Sequence, residues 1–113
     1  MAFAAKRRFA RSIQRDAVKI KSSSGIEYAT YEDVSAGGLK LWLDHDVNIG
    51  NIFALEFTLR SVGGRNAEIS VLGQVVRCIT RPSGHEVGIQ FLDLQDSVRK
   101  EILQHTKTED GPF

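Results

Sequence analysis

Hydrophobic and polar residues alternate along several short segments of the chain, with the two-residue period of a half-buried β-strand. The clearest segment is 53–59, where four large apolar residues occupy alternate positions. The same reasoning predicts five further strands, at 17–21, 26–31, 39–43, 67–80 and 87–92. We expect a β-bulge near Gly73 in the longest of them, because a residue without a side chain tolerates a strong bend.

Residues typical of turns separate these strands. Segment 22–25 predicts a tight turn after the first strand, and the pair Gly37-Gly38 predicts the bend between the second and third. Only the C-terminal region has apolar residues at spacings of three and four, with Asp93 or Asp96 as the candidate N-cap of a helix. Six short strands and one helix predict an all-β fold with one C-terminal helix, in which the strands form a six-stranded antiparallel β-barrel.

The N-terminal segment shows neither the two-residue period of a strand nor the three- to four-residue period of a helix, and it carries a dense positive charge. Five basic residues precede the first acidic residue of the chain: Lys6, Arg7, Arg8, Arg11 and Arg15. We therefore expect a flexible basic arm at 1–16, the barrel with its helix at 17–107, and a tail at 108–113.

Net charge and cysteine content narrow the function classes. Fifteen Lys and Arg residues oppose 14 Asp and Glu residues, so the net charge of +1 gives no strong field to attract nucleic acid, and we expect no DNA partner. The single cysteine, Cys78, lies among apolar residues, which predicts a buried thiol in a reducing cytoplasm. No apolar run is long enough for a membrane span, and no signal peptide is predicted.

The sequence contains no arrangement typical of catalysis. No motif places a nucleophile beside a base, or two carboxylates in a cleft, so we expect neither an enzyme nor a cofactor. Asp44-His45-Asp46 could suggest a metal site, but these residues are adjacent in a turn. Because no second cluster of His or Cys supplies the remaining ligands, we predict no metal.

Two short clusters carry the candidate binding chemistry, the basic run 7–11 and the turn 33–38. The hairpin of segments 17–22 and 26–31 runs out and back over about 20 Å, which places Asp33 beside the root of the arm. Arginine can fork onto guanine O6 and N7 or onto phosphate oxygens, and a carboxylate can accept from guanine N1 and N2 hydrogens. The two clusters together predict a receptor for a guanine nucleotide.

Two motifs in these clusters carry a family resemblance: Arg7-xxx-Arg11 and Asp33-x-Ser35-xx-Gly38. In this order, and followed by a strand at 87–93, they resemble the paired signature of PilZ domains over roughly residues 6–105. The resemblance implies a six-stranded antiparallel barrel that binds cyclic di-GMP on its outer surface and clamps it with the arm.

The resemblance also predicts a ligand-binding set of six residues: Arg7, Arg8, Arg11, Asp33, Ser35 and Gly38. The arginines would grip phosphates and guanine edges, the carboxylate and hydroxyl would contact guanine, and the glycine would hold the turn. At a neighbouring position, Lys6, many family members have arginine. Lysine keeps the charge but loses the bidentate fork, which bears on affinity and on ligand stoichiometry.

The leading hypothesis is a cyclic di-GMP receptor and adaptor. Ligand would order the arm against the barrel, and the altered surface would engage an unidentified protein partner. A ligand-independent interaction module is one alternative, because some PilZ relatives lack the signature. A small β-barrel that binds RNA or single-stranded DNA is a weaker one, because few aromatic residues are interleaved with basic ones.

Overall fold

Six β-strands and one C-terminal helix make up the described part of the chain, which in this computed structural model comprises residues 16–60 and 65–106. The elements follow in the order β1 (Asp16–Ser22), β2 (Gly25–Ser35), β3 (Gly38–Leu43), β4 (Ile52–Leu59), β5 (Ala67–Arg81), β6 (Gly84–Leu92) and α1 (Asp96–Thr106). The predicted fold class is confirmed. No helix in the two described ranges is long and apolar enough to cross a membrane.

The six strands close into an antiparallel barrel in the order β1-β2-β3-β6-β5-β4. Four of the six strand pairs join neighbours in sequence, whereas β3 pairs with β6 and β1 pairs with β4 across long stretches of chain. Because each strand has a partner on both sides, closure removes the unpaired edges that an open sheet would expose.

The core fills the inside of the barrel, and the alternating residues of the strands supply it. On β4, for example, Phe53, Leu55 and Phe57 are buried while the residues between them are half-buried. Ile102 of α1 is fully buried in the same cluster, so the helix packs against the barrel through an apolar contact. Cys78 is only half-buried at the margin of this core, so the expectation of a buried thiol is wrong.

The bulge in β5 lies beyond the predicted position. The β5–β6 register shifts between Val75 and Arg77, which makes Val76 the extra residue. Gly73 pairs regularly, and a Cβ atom there would lie 2.4 Å from a methyl carbon of Ile89. The prediction of a bulge near Gly73 is therefore wrong, because that glycine serves close side-chain packing rather than a bend.

Two predicted boundaries also shift. Asp16 belongs to β1, so the predicted boundary of the arm at residue 16 is one residue too late. Residues 1–15 lie outside the described ranges. The helix begins at Asp96, and Arg99 donates its backbone N–H to the carbonyl of Gln95 at 2.9 Å. The N-cap position thus falls on Gln95 rather than on either candidate, and Asp93 instead turns the chain out of β6 with a φ of 47°.

Tyr31 ties β2 to β4 inside the barrel. Its side chain is fully buried, and its hydroxyl donates to the backbone carbonyl of Thr58 at 2.6 Å. Its ring lies 5.0 Å from that of Phe57, centroid to centroid, in a tilted arrangement. Burial raises the pKa of Tyr31 to about 12, because the phenolate would lose its hydration.

Replacing Tyr31 by Phe is expected to lower the free energy of unfolding by about 1 kcal/mol at neutral pH, since the carbonyl of Thr58 loses its donor. The folded-state pKa of about 12 exceeds the unfolded value of about 10, so this tyrosine contributes fully below pH 10. That contribution falls as the pH rises from 10 towards 12, and the gap between wild type and Tyr31→Phe should shrink over this interval. Urea unfolding measures the gap, with the exposed Tyr28→Phe as control. A gap that stays constant over this pH range would contradict the burial argument.

Candidate functional site

The turn between β2 and β3 lies directly against β6. Ser35 pairs with Gly38 across this two-residue turn, and Gly38 pairs with Gln90 of β6. A Cβ atom at Gly38 would lie only 1.9 Å from the carbonyl oxygen of Ile89, so glycine alone fits there. The backbone N–H of Phe91 donates to the carbonyl of Gly37 at 3.0 Å, which fixes the turn on β6.

Asp33 and Ser35 lie at the end of β2. The sequence analysis ended this strand at residue 31 and therefore placed both residues in a loop, which is wrong. The β2–β3 register is irregular between Glu32 and Ser35, and Asp33 has a left-handed φ of 61°. Aspartate tolerates this region better than most residues, so the sequence suits the local geometry. The hydroxyl of Ser35 accepts from the backbone N–H of Gly37 at 3.3 Å, which orients it over the turn.

A polar depression of about 520 Å³ on the outer face of the barrel brings together three of the six predicted residues: Asp33, Ser35 and Gly38. The sequence analysis missed four polar or charged residues that line the same depression: Lys40, Arg77, Glu86 and Gln90. We call this the turn depression. The alternation of β3 places position 40 on the same face as position 38, so Lys40 could have been predicted from the sequence.

Arg77 reaches the turn depression because of the bulge at Val76. The extra residue breaks the alternation, so Val76 and Arg77 are both exposed on the outer face. Arg77 pairs with Gly88, which is buried. A Cβ atom at Gly88 would lie 2.9 Å from the guanidinium carbon of Arg77, so the missing side chain makes room for this guanidinium.

The charges of the turn depression are partly paired. The side chain of Glu86 is only 12% exposed, lies 3.9 Å from the ammonium group of Lys40, and accepts from the guanidinium of Arg81 at 3.1 Å. Among residues 16–60 and 65–106, no carboxylate forms an ion pair with Arg77. Its guanidinium is therefore the cation of this surface that the described carboxylates do not neutralise.

The N-terminal segment joins the barrel close to this depression. Asp16 pairs with Tyr31, only two residues before Asp33. The backbone N–H of Ala17 donates to the Asp16 carboxylate at 2.8 Å, and Nε of Arg60 donates to it at 2.6 Å. These two hydrogen bonds, the backbone one first, lower the pKa of Asp16 and fix the root of the segment.

The remaining three predicted residues, Arg7, Arg8 and Arg11, lie outside the described residues. Their place in the site is therefore an expectation from the sequence and from the position of Asp16.

Comparison with known proteins gives the same family as the motifs. The PilZ domain model matches residues 5–107. A structure of MotI/DgrA, the inhibitor of motility of Bacillus subtilis, is 17% identical with a TM-score of 0.74, and the similarity covers 88% of this chain and 48% of that one. The chain thus spans about half the length of that protein.

A structure of the PilZ domain of YcgR from Escherichia coli, which contains c-di-GMP, is 15% identical with a TM-score of 0.67. That similarity covers 93% of this chain and 92% of the other. A search among curated proteins finds no match. The two structures show a shared fold, and the family model covers nearly the whole sequence, so the chain belongs to the PilZ domain family.

Proposed function

We propose that this chain is a cyclic di-GMP receptor without catalytic activity, which binds its ligand in the turn depression. One observation carries the proposal: Asp33, Ser35 and Gly38 line one polar surface of a PilZ-family barrel, together with the cations Lys40 and Arg77. The turn depression measures about 520 Å³, within the usual range of about 300 to 1,000 Å³ for small-molecule sites.

The chemistry of the turn depression suits a guanine dinucleotide. The carboxylate of Asp33 accepts hydrogen bonds, as the N1 and N2 hydrogens of guanine require, and Ser35 adds a hydroxyl beside it. Gly38 allows the turn to lie against the backbone of β6, which brings Asp33 and Ser35 beside the residues of β6 that line the depression. Lys40 and the guanidinium of Arg77 offer positive charge to the phosphates.

The N-terminal arginines complete the proposed site. Arg11 lies five residues before Asp16, and five extended residues span up to about 17 Å. Asp33 lies two residues along β2 from the partner of Asp16, a distance of about 7 Å. Arg11, and Arg7 four residues further out, can therefore reach a ligand in the turn depression.

The signal we propose is the ordering of residues 1–15 by the ligand. The phosphates of cyclic di-GMP would supply the negative charge that holds Arg7, Arg8 and Arg11 against the barrel. The surface formed in this way would then change the affinity for a protein partner in the cytoplasm.

Replacing either Arg7 or Arg11 by Ala is expected to weaken cyclic di-GMP binding roughly 10- to 100-fold, because each charge-assisted hydrogen bond contributes about 1.5 to 3 kcal/mol. Calorimetric titration measures the change, and thermal unfolding should be unaltered. Arg99→Ala, an exposed substitution on α1, is the matched control and should bind as wild type does. Wild-type affinity in both arm variants would show that the arm does not contact the ligand.

Asp33→Asn is expected to reduce guanine selectivity. Asparagine tolerates the left-handed φ of 61° and keeps the shape, but its amide lacks the charge that guanine hydrogens favour. The affinity for cyclic di-GMP should fall roughly tenfold or more, while the affinity for the analogous adenine dinucleotide should change little. Asp93→Asn is the control for backbone strain, because Asp93 is the other non-glycine residue with a left-handed φ in the described ranges. Equal losses for both ligands would mean that Asp33 only shapes the turn.

Limited trypsin digestion tests the proposed ordering. Five candidate cleavage sites precede β1: Lys6, Arg7, Arg8, Arg11 and Arg15. Cleavage at these sites should be rapid in the free protein and slow at saturating cyclic di-GMP, and Asp33→Asn at the same ligand concentration should be protected less. Unchanged cleavage of a chain shown to bind the ligand would rule out ordering as the signal.

A further inference from the structure

A second cluster of candidate ligands lies towards the opposite end of β2 from the turn depression. Glu27 near the start of β2 meets Asp44 and His45, which follow β3 in the loop 44–51. One ligand atom from each of the three side chains lies within 4.8 Å of the other two. We call these three residues the loop cluster. Asp44 and His45 are exposed and Glu27 is half-buried, so an ion in solution has access to them.

The imidazole of His45 has a fixed orientation. Its Nδ1 atom lies 3.0 Å from the backbone carbonyl oxygen of Asp46, and a carbonyl only accepts, so Nδ1 carries a hydrogen. Its Nε2 atom lies 2.9 Å and 3.1 Å from the two carboxylate oxygens of Glu27. Metal-binding histidines have this arrangement, in which one nitrogen donates to a carbonyl and the other faces the metal.

The surroundings of the loop cluster are negative and polar. Hydrogen bonding to Glu27, and then to the carbonyl of Asp46, raises the pKa of His45, so an ion that binds Nε2 must displace a proton there. A polar depression of about 360 Å³ adjoins His45 and provides room for water ligands. Five side chains with hydroxyl or amide groups line it: Ser22, Ser23, Ser24, Asn48 and Asn51.

We propose that Glu27, Asp44 and His45 bind one divalent transition-metal ion of the Zn²⁺ type. In a tetrahedral site with metal–ligand distances of about 2.0 to 2.2 Å, neighbouring ligand atoms lie about 3.3 to 3.6 Å apart. Nε2 of His45 lies 2.9 Å and 3.1 Å from the oxygens of Glu27, so these side chains need to separate by only a few tenths of an ångström to hold the ion. One imidazole with two carboxylates favours Zn²⁺ over Mg²⁺ or Ca²⁺, which prefer oxygen ligands alone. Water would fill the remaining coordination position.

The tertiary structure supplies the ligand that the sequence analysis did not find. Glu27 precedes His45 by 18 residues and lies on β2, whereas His45 lies in the loop 44–51, so no local spacing connects the two. A bound ion would link the start of β2 to the loop 44–51. This site is separate from the proposed nucleotide site, because Asp33 lies six residues, or about 20 Å, further along β2.

Calorimetric titration of the full chain with ZnCl₂ tests the proposal. Wild type should bind one ion, while Glu27→Gln and His45→Gln should each bind roughly tenfold more weakly or worse. Two matched controls remove a neighbouring carboxylate or another imidazole, Asp46→Asn and His85→Gln, and should stay within about threefold of wild type. Circular dichroism confirms that each variant is folded.

Three results would overturn the proposal: no binding by wild type up to millimolar zinc, equal binding by His45→Gln and wild type, or an equal loss in Asp46→Asn. The last result would mean that diffuse negative charge, not a defined ligand set, attracts the ion. Titration of the same variants with cyclic di-GMP separates the two sites, because affinity for the nucleotide should not change. A failure of the nucleotide site would leave the zinc titration unaffected.

Discussion

The contact between Gly38 and the backbone of Ile89 determines how the barrel closes and where its polar surface lies. The two residues are separated by about half the chain, yet a single added Cβ atom at Gly38 would lie 1.9 Å from the carbonyl oxygen of Ile89. The hydrogen bond from Phe91 to Gly37 holds the same turn from the other side. The pairing of Gly38 with Gln90 and this hydrogen bond together hold the end of β2 beside β6.

The turn depression follows from two local departures from regular sheet geometry. The left-handed residue Asp33 disturbs the pairing of β2 with β3, and the bulge at Val76 brings Arg77 to the outer face. Gly88 then leaves space that the guanidinium of Arg77 occupies. A regular barrel would send alternate side chains inward at these positions, so the irregularities are what bring the charged groups together.

The sequence predicts the barrel well because alternation reflects burial directly. On β4 the predicted and observed strands agree to within a residue, since each inward position carries a large apolar side chain. Alternation fails where pairing is irregular, which explains why Asp33 was expected beyond the strand and Arg77 was not expected in the site at all. Glu27 was missed for a different reason, because its proximity to His45 depends on the pairing of β2 with β3, which no local spacing shows.

We predict that one surface, at the β2–β3 turn, receives the ligand. A nuclear magnetic resonance titration of the isotope-labelled chain with cyclic di-GMP tests this prediction directly. The largest shifts of backbone amides among residues 16–60 and 65–106 should fall at residues that line the turn depression, namely 33, 35, 37–40, 77 and 88–90. The backbone amide signals of Glu27 and His45 should not shift. No shifts at saturating ligand, or shifts concentrated at the loop 44–51 or along α1, would contradict the account.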